Sequence, residues 1–370
     1  MKIKIHAIAF NHTPGAINTS ALTIRKNYST PISVPEWTPQ TDGQNARAAY
    51  SIQDTAGQTI TIYAQLSCDV PGTTVRIKAI GGDELGQVAE QVVTINNNYI
   101  AFSLSGTNLA SAGVNILYTG WQWSYKQGNG DWIYIDTTNF TVYTLLSRPS
   151  APWSNSTNPN DTQLPWTDVL DVTNRWAQGA TTPDEVQRLI TEEVYDLGEP
   201  TPAVIAYDII NGATNYAYPN FRCTEFLQRI NGQYGLGMLV NCTDCATIVS
   251  SFSNILGCQL LQSRMGFDFA LRIIRAIGRH VWAVPFNGYF SYHEVAWKVP
   301  CDSNANLYDA CLQIDTTLQN APPSGYLPVN MPFGTCTTLA DYKLYLTTSQ
   351  QDGCPRCLPI PTTAQLRSIS

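Results

Sequence analysis

The hydrophobic pattern of this 370-residue chain changes its period once, across a stretch that favours neither strand nor helix. Before that stretch, strand-length runs of alternating apolar and polar residues are separated by Gly, Asn and Asp. These runs occupy residues 59–68, 74–80, 91–97, 98–106, 121–127, 132–138 and 140–146. Turn residues at this spacing are typical of an antiparallel sandwich. We therefore predict an immunoglobulin-like β-sandwich over residues 1–148.

The stretch between the two patterns is SRPSAPWSNSTNPNDTQLPW, residues 147–166. Because its Pro, Ser and Asn content is unfavourable for a sheet and for a helix, we place a domain linker at residues 149–165. Beyond it, the apolar residues recur about every 3.6 positions, which indicates helices.

The second half of the chain has the order of an α+β domain, in which helices come first and an antiparallel sheet follows. Helices are predicted at residues 166–177, 183–197, 221–230, 242–256 and 265–278, a short strand at 202–210, and two or three strands between 279 and 315. We assign this domain to residues 166–320. Residues 321–370 are predicted to be a wrapping extension with one helix at 339–349.

The charge of the chain limits its partners. The net charge is −7, the isoelectric point is near 5.1, and no run is rich in Lys or Arg. A nucleic acid or an anionic membrane surface is therefore not expected as a partner.

No apolar run is long enough to span a bilayer. The N-terminal residues MKIKIHAIAF alternate like a strand and not like a signal peptide, which predicts a cytoplasmic location at synthesis and leaves export without a leader open.

The chain has ten cysteines, which in a reducing compartment are expected to be free thiols. Cys242 and Cys245 form one Cys-x-x-Cys pair, and Cys354 and Cys357 form another. Together, and with Cys336, they could bind zinc, but distant pairs in unlike contexts are a weaker signal than pairs within one ribbon. We therefore assign no metal and no cofactor.

Cys242 is predicted to be the first residue of a helix, because Asn241 is a good N-cap. The free N–H groups and the dipole at that end favour a thiolate, and the thiolate is the nucleophile. Cys245 instead belongs to the apolar stripe of the helix, and Cys258 is expected to be structural. The spacing therefore predicts a reactive Cys242 and a buried Cys245.

A histidine and an aspartate are predicted to meet on the sheet. Asn287-Gly288 divides two alternating runs in residues 280–297 and indicates a hairpin. If residues 306–315 pair antiparallel with the second run, His293 and Asp309 lie opposite one another, so the carboxylate can orient the imidazole. His280 falls on the same face in this register and is a second candidate for the base.

These residues resemble the transglutaminase-like superfamily, cysteine enzymes with a papain-like α+β core. In that family the Cys begins a buried helix as Cys-x-Asp-x-Ala and the helix ends with Leu-Gly, which matches residues 242–246 and 256–257. In the family a later strand carries the His and continues as an aromatic-rich run, which matches residues 293–297. The Asp comes near the end of the following strand, which matches Asp309. The resemblance covers residues 200–316 and implies Cys242 as nucleophile, His293 as general base and acid, and Asp309 as the residue that orients the imidazole.

This sequence departs from the family in the segment between Leu-Gly and the His. An insertion with the predicted helix 265–278 lies there, which could be a lid or passive packing. The family's oxyanion donor, a Gln or similar side chain upstream of the Cys, has only weak counterparts in Gln228 and Gln233. The backbone N–H of Cys242 is the better candidate.

We therefore predict cysteine-dependent acyl transfer at an amide bond of a protein or peptide through a thioester. Transfer to water, as in a protease, peptidase or deamidase, is preferred over transfer to an amine, as in transglutaminase-type cross-linking. A non-catalytic binding or structural protein is the other alternative, since Trp121, Trp123 and Trp132 could form a peptide or glycan platform unless they are core aromatics. No oligomeric state is predicted.

Overall fold

The computed structural model divides into two compact units. It describes residues 1–13, 19–301, 305–314, 345–347 and 363–370. The first unit comprises Met1–Pro149 and Ser154–Thr182, and the second comprises Ser150–Trp153 and Pro183–Ser370. Among the described helices, none combines the length and the apolar character needed to cross a bilayer. The prediction of a mixed α+β chain is confirmed.

The first unit is built on one curled β-sheet. Its strands are β1 (Ile3–Ala9), β2 (Arg47–Ser51), β3 (Thr61–Cys68), β4 (Thr73–Gly81), β5 (Gln87–Ile95), β6 (Tyr99–Ser105), β7 (Asn115–Lys126) and β8 (Ile133–Leu145). They form an eight-stranded sheet in the order β1-β3-β6-β5-β4-β7-β8-β2, in which only the β2 and β8 pair is parallel. Because β1 also contacts β8, the sheet curls around its own core. The immunoglobulin-like arrangement is therefore not confirmed.

The two strands predicted at 132–138 and 140–146 are one strand, β8. Asn139, which lies between the two predicted strands, continues the ladder opposite Gly120 on β7. Tertiary pairing thus overrides the local turn preference of Asn.

The first unit also contains helices α1 (Ile52–Thr55), α2 (Leu109–Ala112) and α3 (Thr167–Trp176). The sequence-based division begins the second domain at residue 166, but α3 belongs to the first unit. Backbone hydrogen bonds explain this: the N–H of Thr167 donates to the carbonyl of Arg25 at 2.7 Å. In addition, the Asn174 amide donates to the carbonyls of Asn115 and Thr144.

The aromatic residues considered for a surface platform are mostly core residues. Trp121 and Trp123 are fully buried in the sheet's core, where their indole N–H groups donate to Gly86 and Thr138. They therefore form no exposed platform.

The second unit surrounds a buried helix. Its elements are α4 (Pro183–Asp196), β9 (Ala206–Tyr207), α5 (Cys223–Ile230), β10 (Leu239–Val240), α6 (Cys242–Ile255), β11 (Leu260–Ala270), β12 (Ile274–Ala276), a 3-10 turn (Phe286–Gly288), β13 (Tyr289–Lys298), β14 (Leu307–Tyr308) and β15 (Leu312–Ile314). All 14 residues of α6 are buried, and α6 packs against α4, β11 and β13. The described sheets have the orders β11-β13-β14, β10-β9 and β12-β15.

The predicted helix at 265–278 is wrong, because most of these residues lie in β11 and β12. β11 pairs antiparallel with β13, with Met265 opposite His293. The predicted hairpin at Asn287-Gly288 is also wrong. The strand that follows this turn, β13, pairs with β11, and residues 280–286 do not pair with β13. A short apolar run fits a strand and a helix equally well, and here the strand partner decided between them.

The third strand has a register that differs from the predicted one by two residues. β14 places Ala296 opposite Tyr308, so the same register continued by one residue sets Asp309 opposite Val295. A shift of two residues keeps every side chain on its face of the sheet. Asp309 and His293 therefore still share one face.

The last described residues, 363–370, pack against the rest of the second unit. Gln365 pairs with Gln262 of β11, and Ile369 pairs with Phe221. The predicted helix at 339–349 and Cys336, Cys354 and Cys357 lie largely or wholly outside the described residues.

Arg367 anchors this segment to a buried carboxylate. Its guanidinium donates to Glu294 Oε1 at 2.8 Å, to Gln262 Oε1 at 2.8 Å and to Thr247 Oγ1 at 3.1 Å. The Glu294 side chain is fully buried and also accepts the Thr243 hydroxyl at 2.8 Å. A buried carboxylate is tolerated only while it is paired.

We predict that Arg367→Ala lowers the free energy of unfolding by about 3–5 kcal/mol, because it removes the main partner of a buried charge. Arg188→Ala is the matched control, since the Arg188–Glu192 pair is exposed and contributes about 0.5 kcal/mol or less. Urea denaturation of both variants measures the difference. Equal decreases in the free energy of unfolding for the two variants would show that the Glu294–Arg367 pair does not stabilise the fold.

Candidate active site

The N-terminus of α6 is fixed by a capping box. The Asn241 side chain accepts the N–H of Asp244 at 3.0 Å, and the Asp244 carboxylate accepts the N–H of Asn241 at 3.0 Å. Cys242 is consequently the first helical residue, as predicted. Its backbone N–H precedes the helical ladder and is free of it.

Asp244 also holds the loop that precedes α5. Its carboxylate accepts the N–H groups of Asn215, Tyr216 and Ala217 at 2.8–3.0 Å. Burial raises the pKa of this carboxyl to about 6, against the lowering effect of the backbone hydrogen bonds. It is therefore ionised at pH 7, and one carboxylate positions both the helix start and the adjacent loop.

His293 and Asp309 form a buried pair. His293 Nε2 lies 2.8 Å from Asp309 Oδ2, and the side chains are 0% and 4% exposed. Asp309 Oδ1 accepts the N–H of Cys311 at 2.9 Å, which fixes the carboxylate. The ring of Phe290 stacks on the imidazole, with centroids 5.0 Å apart and planes at 7°. The imidazole is thus held at one edge and on one face.

The Cys242 side chain interacts with the imidazole of His293. Burial lowers the pKa of His293, but the charge and hydrogen bond of Asp309, followed by the interaction with Cys242, raise it to about 10. Nδ1 of His293 has no hydrogen-bond partner of good geometry in the described part of the chain. His293 is therefore protonated at pH 7 and donates to Asp309 through Nε2.

Tyr207 is a site residue that the sequence interpretation missed. β9 runs parallel to β10 with Tyr207 beside Val240, two residues before Cys242. The Tyr207 hydroxyl interacts with the Cys242 side chain, and burial together with the nearby cysteines raises its pKa well above the usual value. The hydroxyl therefore remains a hydrogen-bond donor. The family pattern predicts an amide side chain upstream of Cys242, so it does not point to a tyrosine.

The alternative candidates lie elsewhere. His280, Gln228 and Gln233 are exposed. His280 follows β12, whose partner is β15, so it does not lie on the strand beside β13. Of the two histidines considered for the base, the structure brings His293 to Asp309.

The other cysteines of the region are buried. Burial raises the pKa of Cys258 and of Cys245 above the usual value. Cys311 Sγ lies 4.0 Å from His293 Nε2 and also interacts with Cys245. His293, Asp309 and Cys311 offer metal-ligand atoms within 4.8 Å of one another, but the described hydrogen bond already occupies Nε2 of His293.

The centre is closed in this structure. Cys242 and Tyr207 are each 3% exposed, and His293 is 0% exposed.

No protein-family model matches the chain, and no curated protein matches it. Among solved structures, it is similar to the crystal structure of red sea bream transglutaminase, with 12% sequence identity and a TM-score of 0.38. The match covers 69% of this chain and 48% of that protein, so the chain spans about half of its length.

The raised pKa of His293 predicts a pH-dependent stability. The folded protein binds a proton on His293 up to pH about 10, whereas the unfolded chain loses it near 6.5. The stabilisation is therefore complete below pH 6.5 and is lost as the pH rises to 10, with a slope of at most about 1.4 kcal/mol per pH unit. Asp309→Asn removes the charge that raises the pKa, so its free energy of unfolding should fall less steeply from pH 7 to 10.

Urea denaturation at pH 7, 8, 9 and 10 tests this. Asp196→Asn is the control, because Asp196 is an exposed carboxylate of the same unit and its loss should leave the wild-type slope unchanged. If the free energy of unfolding fell with pH at the same slope in Asp309→Asn and in the wild type, the result would contradict a His293–Asp309 ion pair.

Proposed function

We propose that this chain is a cysteine enzyme that transfers the acyl group of a protein or peptide amide to water through a thioester. The observation that supports this proposal is the buried hydrogen bond of 2.8 Å between His293 and Asp309, together with the interaction of the Cys242 side chain with the same imidazole. A nucleophile, a base and a group that orients the base are the parts that acyl transfer requires.

In the first step the sulfur of Cys242 attacks the amide carbonyl. Asp309 holds His293 as an imidazolium, which stabilises the thiolate before the attack. The protonated imidazole then gives its proton to the leaving amine from Nδ1, the nitrogen without a partner of good geometry. The C–N bond breaks and a thioester remains.

The negative charge on the carbonyl oxygen needs hydrogen-bond donors. The backbone N–H of Cys242 stands at the start of α6, where the helix dipole adds to its effect. We assign the second donor to the Tyr207 hydroxyl, because it interacts with the same thiol and stays protonated. This assignment replaces Gln228 and Gln233.

The second step releases the acyl group. His293 takes a proton from water as the water oxygen attacks the thioester carbonyl. The C–S bond then breaks, the acid leaves, and Cys242 returns as a thiolate beside the imidazolium. A primary amine in place of water gives cross-linking by the same steps. The acceptor therefore distinguishes a hydrolase from a transglutaminase, and a single assay can measure both.

The assay offers unfolded casein with a fluorescent primary amine and measures new peptide ends, released ammonia and bound amine. We expect peptide ends or ammonia to exceed bound amine. Cys242→Ser should lower the rate by about a thousandfold or more, because oxygen is a poorer nucleophile beside this base. Tyr207→Phe should lower it by about 10–1000-fold, since it removes one oxyanion donor.

Cys68→Ala is the control, because Cys68 lies in the first unit and is not part of the centre. It should keep the wild-type rate. Full activity of Cys242→Ser would refute the proposal, and bound amine as the main product would reassign the chain to cross-linking.

A further inference from the structure

A cluster of thiols surrounds the centre, of which the proposed reaction uses only Cys242. Cys311 Sγ lies 4.0 Å from His293 Nε2, and Cys311 and Cys245 interact with one another. Cys242, Cys245 and Cys311 are all free and buried. Buried thiols are often simple packing groups, but here they lie beside a reactive one.

Cys242 and Cys245 have the spacing of a redox pair. They are the first and fourth residues of α6, so they lie one above the other on the same helical face. Residues three apart in a helix have Cβ atoms about 5–6 Å apart, and a disulfide requires about 3.5–4.5 Å. A small rearrangement of the first turn is enough. A Cys-x-x-Cys pair at a helix N-terminus is also the arrangement of redox-active dithiols.

We propose that Cys242 and Cys245 form a redox switch, in which a peroxide oxidises Cys242 and Cys245 then converts it into a disulfide that reversibly inactivates the centre. The inference rests on the proposed function, since it names a regulation of the same site. A sulfur atom held in a disulfide neither attacks a carbonyl nor pairs with an imidazolium.

The chemistry balances in two steps. The Cys242 thiolate attacks one oxygen of the peroxide, the O–O bond breaks, and hydroxide leaves, so that sulfur is oxidised to a sulfenic acid and the peroxide is reduced. The sulfur of Cys245 then attacks the Cys242 sulfur. The S–S bond forms, the S–O bond breaks, and the hydroxyl leaves with the proton of Cys245 as water. An external dithiol reverses the switch by thiol–disulfide exchange and is itself oxidised.

Cys311 assists Cys245 as the second nucleophile. Burial raises the pKa of Cys245, and the hydrogen bond from Cys311 opposes this effect by favouring the thiolate. Without Cys245 the sulfenic acid has no second thiol on α6 with which to form a disulfide, so further peroxide oxidises it irreversibly to sulfinic acid. The pair therefore protects Cys242 as well as switching it off.

Mass spectrometry tests the switch without any substrate, so its failure is distinguishable from failure of the proposed function. The full-length protein is treated with hydrogen peroxide, alkylated with iodoacetamide, and digested with trypsin, before and after dithiothreitol. Residues 230–264 form one tryptic peptide with Cys242, Cys245 and Cys258. We expect the peptide from the oxidised protein to lose two hydrogen atoms and two alkylation sites. Alkylation of Cys242 should fall by about tenfold or more and should be restored by dithiothreitol.

Two variants make the assignment unambiguous. Cys258→Ala removes the third thiol of that peptide and should keep the reversible loss. Cys245→Ser should instead accumulate sulfinic acid at Cys242, which dithiothreitol does not reverse. Circular dichroism checks that both variants fold. A cross-link to Cys311, sulfinic acid at Cys242 in the wild type, or no oxidation of Cys242 would each overturn the proposal.

Discussion

The capping box of Asn241 and Asp244 is the contact on which the candidate centre depends. Asp244 is buried and accepts backbone N–H groups from the helix start and from the loop at 215–217. An unpaired N–H at a buried helix end is costly, so this carboxylate determines where α6 begins. Because α6 begins at Cys242, the same contact determines which thiol meets the imidazole.

A second contact ties the helix to the strand that carries the base. Thr243 and Glu294 each follow a proposed catalytic residue, and the Thr243 hydroxyl donates to Glu294 at 2.8 Å. Arg367 neutralises Glu294 from the C-terminal segment. Cys242 and His293 are thus held by neighbours that hydrogen-bond directly, while Phe290 and Asp309 fix the ring itself. The centre is positioned by buried polar contacts and not by apolar packing alone.

The features of the centre that depend on local sequence patterns could be predicted from the sequence. Asn241 before a run of buried residues predicted the start of α6, and period-2 alternation predicted that His293 and Asp309 share a face. The first inference needs no partner strand, and the second needs only that residues 306–315 pair antiparallel with the strand of His293, as β14 does beside β13. A register shift of two residues left the face unchanged.

The parts that depend on distant pairing could not be predicted. Residues 265–278 have an apolar pattern that fits a helix, and only pairing with the distant strands β13 and β15 makes β11 and β12 strands. Tyr207 reaches Cys242 because β9 and β10 pair in parallel, which no local signal announces. The anchoring of Glu294 by Arg367 joins residues 73 positions apart in the sequence.

The rate of iodoacetamide alkylation of each cysteine between pH 5 and 9, followed by mass spectrometry, tests the central claim most directly. The account predicts that Cys242 reacts faster than the other cysteines below pH 7, that His293→Gln removes this advantage, and that the exposed His280→Gln does not. A Cys242 no faster than the other thiols, or one indifferent to His293→Gln, would contradict a thiolate paired with an imidazolium.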